Sequence, residues 1–213
     1  MASYAQLQND VAAWLNRRDI ADQLPSWVRM VETDIAQLLR ARCMVTRGAQ
    51  AIDANQITLP ADWIAAESIR FQSCGHLLSM EDHFTGPLAG GPDCGCAVGP
   101  SYAYRIVGRC IEFLPHPVIP DPPDPTWQPQ IVEMVWFAKP TPLGDPQSTN
   151  PVLDEHYSIY LFGCCKYGAM FELDDDRATQ MGGAFNEAVM EANLAKSGAD
   201  MTGAPLRAVV RGF

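Results

Sequence analysis

Four sulfur and imidazole donors stand close together in the chain: Cys74 and His76 in "CGH", Cys94 and Cys96 in "CGC". They are the right donors, in the right number, for tetrahedral zinc. Structural zinc sites usually separate paired ligands by two to four residues, and here only one intervenes. Thiols in Gly-rich loops are therefore the preferred reading, and no metal or cofactor is expected. A second candidate is "YLFGCCKYGAMFELDDDRATQMGGAF", residues 160–185, with its adjacent Cys164 and Cys165 and its run Asp174, Asp175 and Asp176. Helical neighbours point about 100° apart. Their Cα atoms, about 3.8 Å apart, fall short of the usual disulfide span of about 4.4–6.8 Å. The cysteines read as small buried hydrophobes. Gly163, Cys164 and Gly168 on one helix, with Gly182 and Gly183 on the next, would let two backbones approach closely. The aspartates suit the positive end of a helix dipole better than a metal site.

Other combinations carry less. In "MEDHF", Glu81, Asp82 and His83 are consecutive and face different directions. His116 and His156 stand alone. The chain holds no G-x-S-x-G elbow, P-loop, H-E-x-x-H or C-x-x-C pattern. Nothing points to a carboxylate pair for glycoside hydrolysis. The expectation is a protein that is not an enzyme; a metal-dependent hydrolytic enzyme is the alternative. Trp136 reads as a core strand residue with Glu133 on the opposite face. Trp127, in a proline-rich loop, suits either an interface anchor or a cover over the protein's own core.

The elements that would hold these residues follow from periodicity. Tyr4, Leu7, Val11, Trp14 and Leu15 recur at helical spacing, with Ser3 as N-cap. Pro25 opens a second helix whose apolar face is Val28, Val31, Ile35, Leu38 and Leu39. Residues 43–140 change to short strand-like runs. "QAIDANQITL" predicts a hairpin turning near Asp53–Asn55, "AESIRF" a strand after the "PADWI" turn, "YAYRIVGRCIEFLP" a hairpin about Gly108–Arg109, and "QIVEMVWFAK" a further strand. Asn150 and Pro151 start one helical segment with Leu153, Tyr157, Tyr160, Leu161, Cys164, Gly168 and Phe171 on one face. The aspartates start another, with Met181, Phe185, Ala188, Val189 and Ala192 inward and Gly198 at its end. The fold class is α+β. N-terminal (1–42) and C-terminal (141–198) helix pairs form a bundle, an antiparallel β region (43–140) is inserted, and a tail spans 199–213.

Composition limits the functions available. The 213 residues are 47% apolar and 19% charged, with net charge −10 and seven cysteines. An odd cysteine count in a chain of this size fits free thiols in a reducing compartment. A dedicated nucleic-acid binder would gather Lys and Arg; 25 acidic against 15 basic residues do the reverse. The N-terminus "MASYAQLQND" has no signal-peptide or transit-peptide character, and the longest apolar run, Ile159–Cys165, is too short for a bilayer. A soluble protein made in a cytoplasm, with no membrane partner, is expected.

Taken in order, "LNRRDIADQLPSWVRMVETDIAQLLRAR" (15–42), "ITLPADWIAAESIRF" (57–71), "YRIVGRCIEFLPHP" (104–117) and the long run from Val132 to Val189 resemble the head-to-tail adaptor, or connector, proteins of tailed bacteriophages, particularly short-tailed ones. The chain departs from them in its Cys/Gly-rich stretch 86–100 and its proline-rich loop 118–129, both longer than expected. The resemblance implies a virion protein, assembled in the host cytoplasm, at the neck between capsid and tail. It would form a homo-oligomeric ring of about twelve copies beneath the portal protein. That ring would extend the channel through which packaged DNA passes without specific binding, and would present a platform to tail or nozzle proteins. Another neck or tail-completion protein is the nearest alternative. By position, the C-terminal segment would dock on the portal, with Leu206, Val209, Val210 and Phe213 as apolar anchors and Arg207 and Arg211 as charged steering groups.

Overall fold

A computed structural model describes residues 2–17, 19–52, 56–72, 78–80, 103–114 and 130–202. The chain divides into a helical unit, Met1–Met44 with Lys139–Phe213, and a β unit, Val45–Ala138. The fold class is α+β, with antiparallel sheets inserted between helical segments.

In the helical unit, α1 spans Tyr4–Leu15. The Ser3 hydroxyl accepts the Gln6 N–H at its start, and Tyr4, Leu7, Val11 and Leu15 are buried. Trp14 departs from the expected face: it is half-exposed and meets Phe162 edge-on, ring centroids 5.8 Å apart. The helix ends on Asn16 at φ 54°, where its N–H and that of Arg17 return to Ala13 and Ala12. This is a Schellman closure with a residue that tolerates left-handed backbone. α2 spans Leu24–Leu38, with Pro25 in its first turn, where no N–H is needed. Val28, Val31 and Ile35 are buried as expected. Leu38 is exposed instead, because the helix ends there and Leu39, in extended backbone, takes the buried place. The Asn193 side chain closes this end, donating to the Leu38 carbonyl (3.0 Å) and accepting the Arg40 N–H (2.7 Å).

The segment after Asn150 is two helices, not one: α3, Pro151–Glu155, and α4, Tyr157–Phe171. His156, at φ −130° and ψ 52°, breaks the helical path between them. Asn150 is buried with every side-chain partner supplied. Its carbonyl accepts the Leu153 N–H, and its amide donates to the Thr141 carbonyl and the Tyr160 hydroxyl. α4 packs against α1, α2, α3 and the last helix. It is therefore buried on several sides, which the single apolar face read from the sequence does not describe; Phe171, expected inward, is exposed at its end. Polar ties fix its rotation: the Tyr157 hydroxyl donates to Asp10 (2.5 Å), while Lys166 and the Tyr167 hydroxyl both reach Asp34 (2.9 and 2.8 Å).

The last helix, α5, runs Asp175–Thr202. Asp174 caps it by accepting the Arg177 N–H, and Asp175 and Asp176 occupy its first turn. Phe185, Val189 and Ala192 are buried, with Met181 and Ala188 half-buried. Gly198 does not end it: the helix continues four residues into what reads as tail, since a single glycine weakens a helix without stopping it.

The β unit holds two sheets. β1 (Val45–Ile52), β7 (Gln130–Ala138) and β3 (Trp63–Phe71) form one antiparallel sheet with β7 central. β2 (Gln56–Thr58), β6 (Cys110–Leu114), β5 (Ala103–Val107) and β4 (Ser79–Met80) form the other, β4 lying parallel to β5. The hairpin about Gly108–Arg109 forms, with Gly108 at φ 62°. The one expected from "QAIDANQITL" does not: β1 pairs with β7 and β2 with β6, so the chain crosses between sheets there. The eight-residue β1 gains a longer ladder on the nine-residue β7 than the three-residue β2 could offer. Both sheets feed one core, including Ile52, Ile69, Phe113, Val132 and Met134. Trp136 stacks on Trp63 inside it, its Nε1 lacking a hydrogen-bond partner among the described residues. Glu133 faces the other way and takes Arg47 and Arg70, each at 2.7 Å, which hold its carboxyl below the usual range.

Candidate interaction surface

The glycines and cysteines of residues 160–185 divide into two groups. A Cβ placed on Gly163 would lie 2.7 Å from Val31 Cγ2 and 3.2 Å from Phe185 Cδ2. One on Gly168 would overlap Leu15 Cδ1 and come within 3.1 Å of Trp27. These positions admit α1 and α2 to the surface of α4, with Phe185 of α5 closing on Gly163. Gly182 and Gly183 do not share that role. A Cβ at Gly182 would meet Lys166 at an ordinary 3.7 Å, and one at Gly183 would meet nothing within 4 Å. Cys164 and Cys165 are buried free thiols on α4. Burial pushes the Cys164 thiol well above its usual range and raises Cys165 to about 11, so both are neutral packing groups.

The turn from α4 to α5 presents a different surface. Leu173 N–H returns to the Met170 carbonyl and Asp174 N–H to Ala169, the two bonds of a Schellman motif. Its central position, which favours glycine, is Leu173 at φ 59°. That leucine is 86% exposed, beside exposed Met170 and Phe171. Thus a large apolar side chain occupies a backbone site that disfavours it while making no use of its own core. The corner is held firmly. Arg17 pairs with Glu172 (3.2 Å) and with Asp19, Arg177 donates to the Trp14 carbonyl (2.5 Å), and the Phe171 ring lies 6.0 Å from that of Trp27. An open cleft of about 880 Å³ lies alongside the C-terminal half of α1, lined by Gln8, Ala12, Arg17 and Leu24 among others. A second exposed apolar pair, Met190 and Leu194, lies one turn apart on the outer side of α5. The corner is thus an exposed apolar surface on polar supports, suited to packing against another protein.

The zinc candidates Cys74, His76, Cys94 and Cys96 lie outside the described residues. So do Glu81, Asp82 and His83 of "MEDHF", His116, Trp127 and the docking residues Leu206, Arg207, Val209, Val210, Arg211 and Phe213. Two features escaped the sequence reading. Leu173 lies between Glu172 and Asp174, outside the apolar period of α4, and only its left-handed φ marks it. Cys43, Glu155 and His156 bring their ligand atoms within 4.8 Å of one another in the helical unit. Their wide separation in sequence hides this, and His156 alone gave no signal. Burial, with the Glu155 carboxylate adding to it, raises the Cys43 thiol to about 11. No helix among the described residues is long and apolar enough to cross a membrane.

A comparison with curated proteins gives no match. The sequence profile of the SU10 adaptor protein family, by contrast, matches residues 2–209. Because that match takes in both the helical and the β unit, the chain belongs to the SU10 adaptor protein family, structural bacteriophage proteins of the virion that join other head and tail components.

Proposed function

We infer that this adaptor assembles into a ring of about twelve copies beneath the portal, where it lengthens the DNA exit channel and carries tail or nozzle proteins. The observation that carries the reading is Leu173: its backbone position favours glycine, yet it displays a leucine to solvent on a braced corner. Burial against a neighbouring copy would supply what the isolated chain lacks, about 1.5–3 kcal/mol for such a side chain, repeated at every interface of the ring. No bond is made or broken in this role; it rests on interface area and symmetry. A charge of −10 on each copy supports a channel that passes DNA without gripping it.

Portal attachment falls to the residues beyond α5. Leu206, Val209, Val210 and Phe213 alternate with Arg207 and Arg211, a composition that orders on a partner through apolar anchors and charged steering. The test is co-sedimentation with the portal protein encoded in the same phage genome. Truncation after Thr202 should keep the helical circular-dichroism signal and abolish attachment. Full attachment by the truncated protein would contradict docking through this segment.

A further inference from the structure

We propose that Cys43, Glu155 and His156 form a binding site for a borderline-soft divalent cation of the zinc type, with one coordination position left open. The donors come from distant parts of the chain onto anchored backbone. Cys43 lies in the 3-10 turn Arg42–Met44, fixed by buried Met44 and the Met44 N–H to Ala41 carbonyl bond. Glu155 ends α3, which is seated by the Asn150 cap and by buried Val152 and Leu153. At His156 the N–H reaches the Val152 carbonyl (2.8 Å), while its own carbonyl accepts from Ile159 (3.0 Å). α3 packs directly on the 3-10 turn.

The donor set selects the ion. One thiolate, one imidazole and one carboxylate suit zinc, whereas magnesium and calcium want oxygen alone and more of it. Thiolate and carboxylate together match the charge of a dication. Zinc at about 2.0–2.3 Å from each donor holds the donors roughly 3.3–3.7 Å apart. The ligand atoms already lie within 4.8 Å of one another, so small side-chain rotations of about 1 Å or less close the site. Cys43 and His156 are half-buried and Glu155 is exposed, so the fourth position faces solvent and takes water or a donor from a partner. Binding releases the thiol proton to solvent. The cation would link the 3-10 turn that follows α2 to the α3–α4 junction, at a residue two positions before β1 begins.

The test uses full-length protein carrying Cys74→Ser, Cys94→Ser and Cys96→Ser, which removes the other candidate thiols, titrated with Co²⁺ and then Zn²⁺. One equivalent of Co²⁺ should bind, with a thiolate-to-cobalt charge-transfer band and tetrahedral visible bands, and Zn²⁺ should displace it. Adding Cys43→Ser should remove the charge-transfer band. Loss of an outer-shell partner typically weakens a site about 10–100-fold, so loss of a ligand should cost no less. His156→Gln should therefore weaken binding by at least about tenfold. Glu155→Gln, at an exposed position, should do the same with an unchanged circular-dichroism spectrum, which keeps the test decisive if Cys43→Ser fails to fold. Absence of Co²⁺ binding, a charge-transfer band that survives Cys43→Ser, or unchanged affinity in Glu155→Gln would each overturn the site.

Discussion

Leucine in left-handed backbone costs about 1–2 kcal/mol relative to a relaxed conformation, a cost glycine avoids. Leu173 bears that cost while 86% exposed. Leu173→Gly should therefore leave the isolated chain as stable as before, within about 1 kcal/mol, because relief of strain offsets the entropy glycine adds to the unfolded state. Self-association should weaken by roughly 1.5–3 kcal/mol per contact, the worth of the lost side chain. Thermal unfolding and sedimentation velocity would measure the two effects. A large fall in melting temperature, or unchanged association, would contradict the assignment. Nothing in the sequence distinguishes Leu173 from a routine loop leucine, since its meaning lies in a dihedral angle. The same limit applies to Cys43, Glu155 and His156, which only the packing of α3 on the 3-10 turn brings together.

Among the elements, the glycines of α4 and α5 should respond in opposite ways. Gly163→Leu or Gly168→Leu must displace Val31 and Phe185, or Leu15 and Trp27, at a cost of about 1–3 kcal/mol or more. Gly183→Ala meets nothing on an exposed helix face and should stabilise by about 0.5–1 kcal/mol. Urea unfolding would separate them; similar changes at positions 163 and 183 would contradict the packing described. Helix existence was readable because Ser3, Pro25, Asn150 and the Asp174 run are local signals with local causes. The partners of Gly168 were not: the sequence suggested α5, and the contacts are with Leu15 and Trp27. Strand existence was equally legible in "QIVEMVWFAK" and about Gly108. The pairing of β1 with β7 in place of β2 is non-local, and no short window contains it.

At the scale of the whole molecule, order along the chain was more informative than any motif. Segments too weak to identify singly resemble phage adaptors when taken together, and the SU10 adaptor family match over residues 2–209 agrees. The work expected of an adaptor is done by surfaces that pack on other proteins, and no short sequence motif marks such a surface. The most direct test of the ring assignment is electron microscopy of the purified protein mixed with the portal ring from the same phage genome. The expected result is an added ring of density on the portal, continuous with its channel and repeating the helical unit around the axis. A bare portal in the presence of folded protein would contradict it.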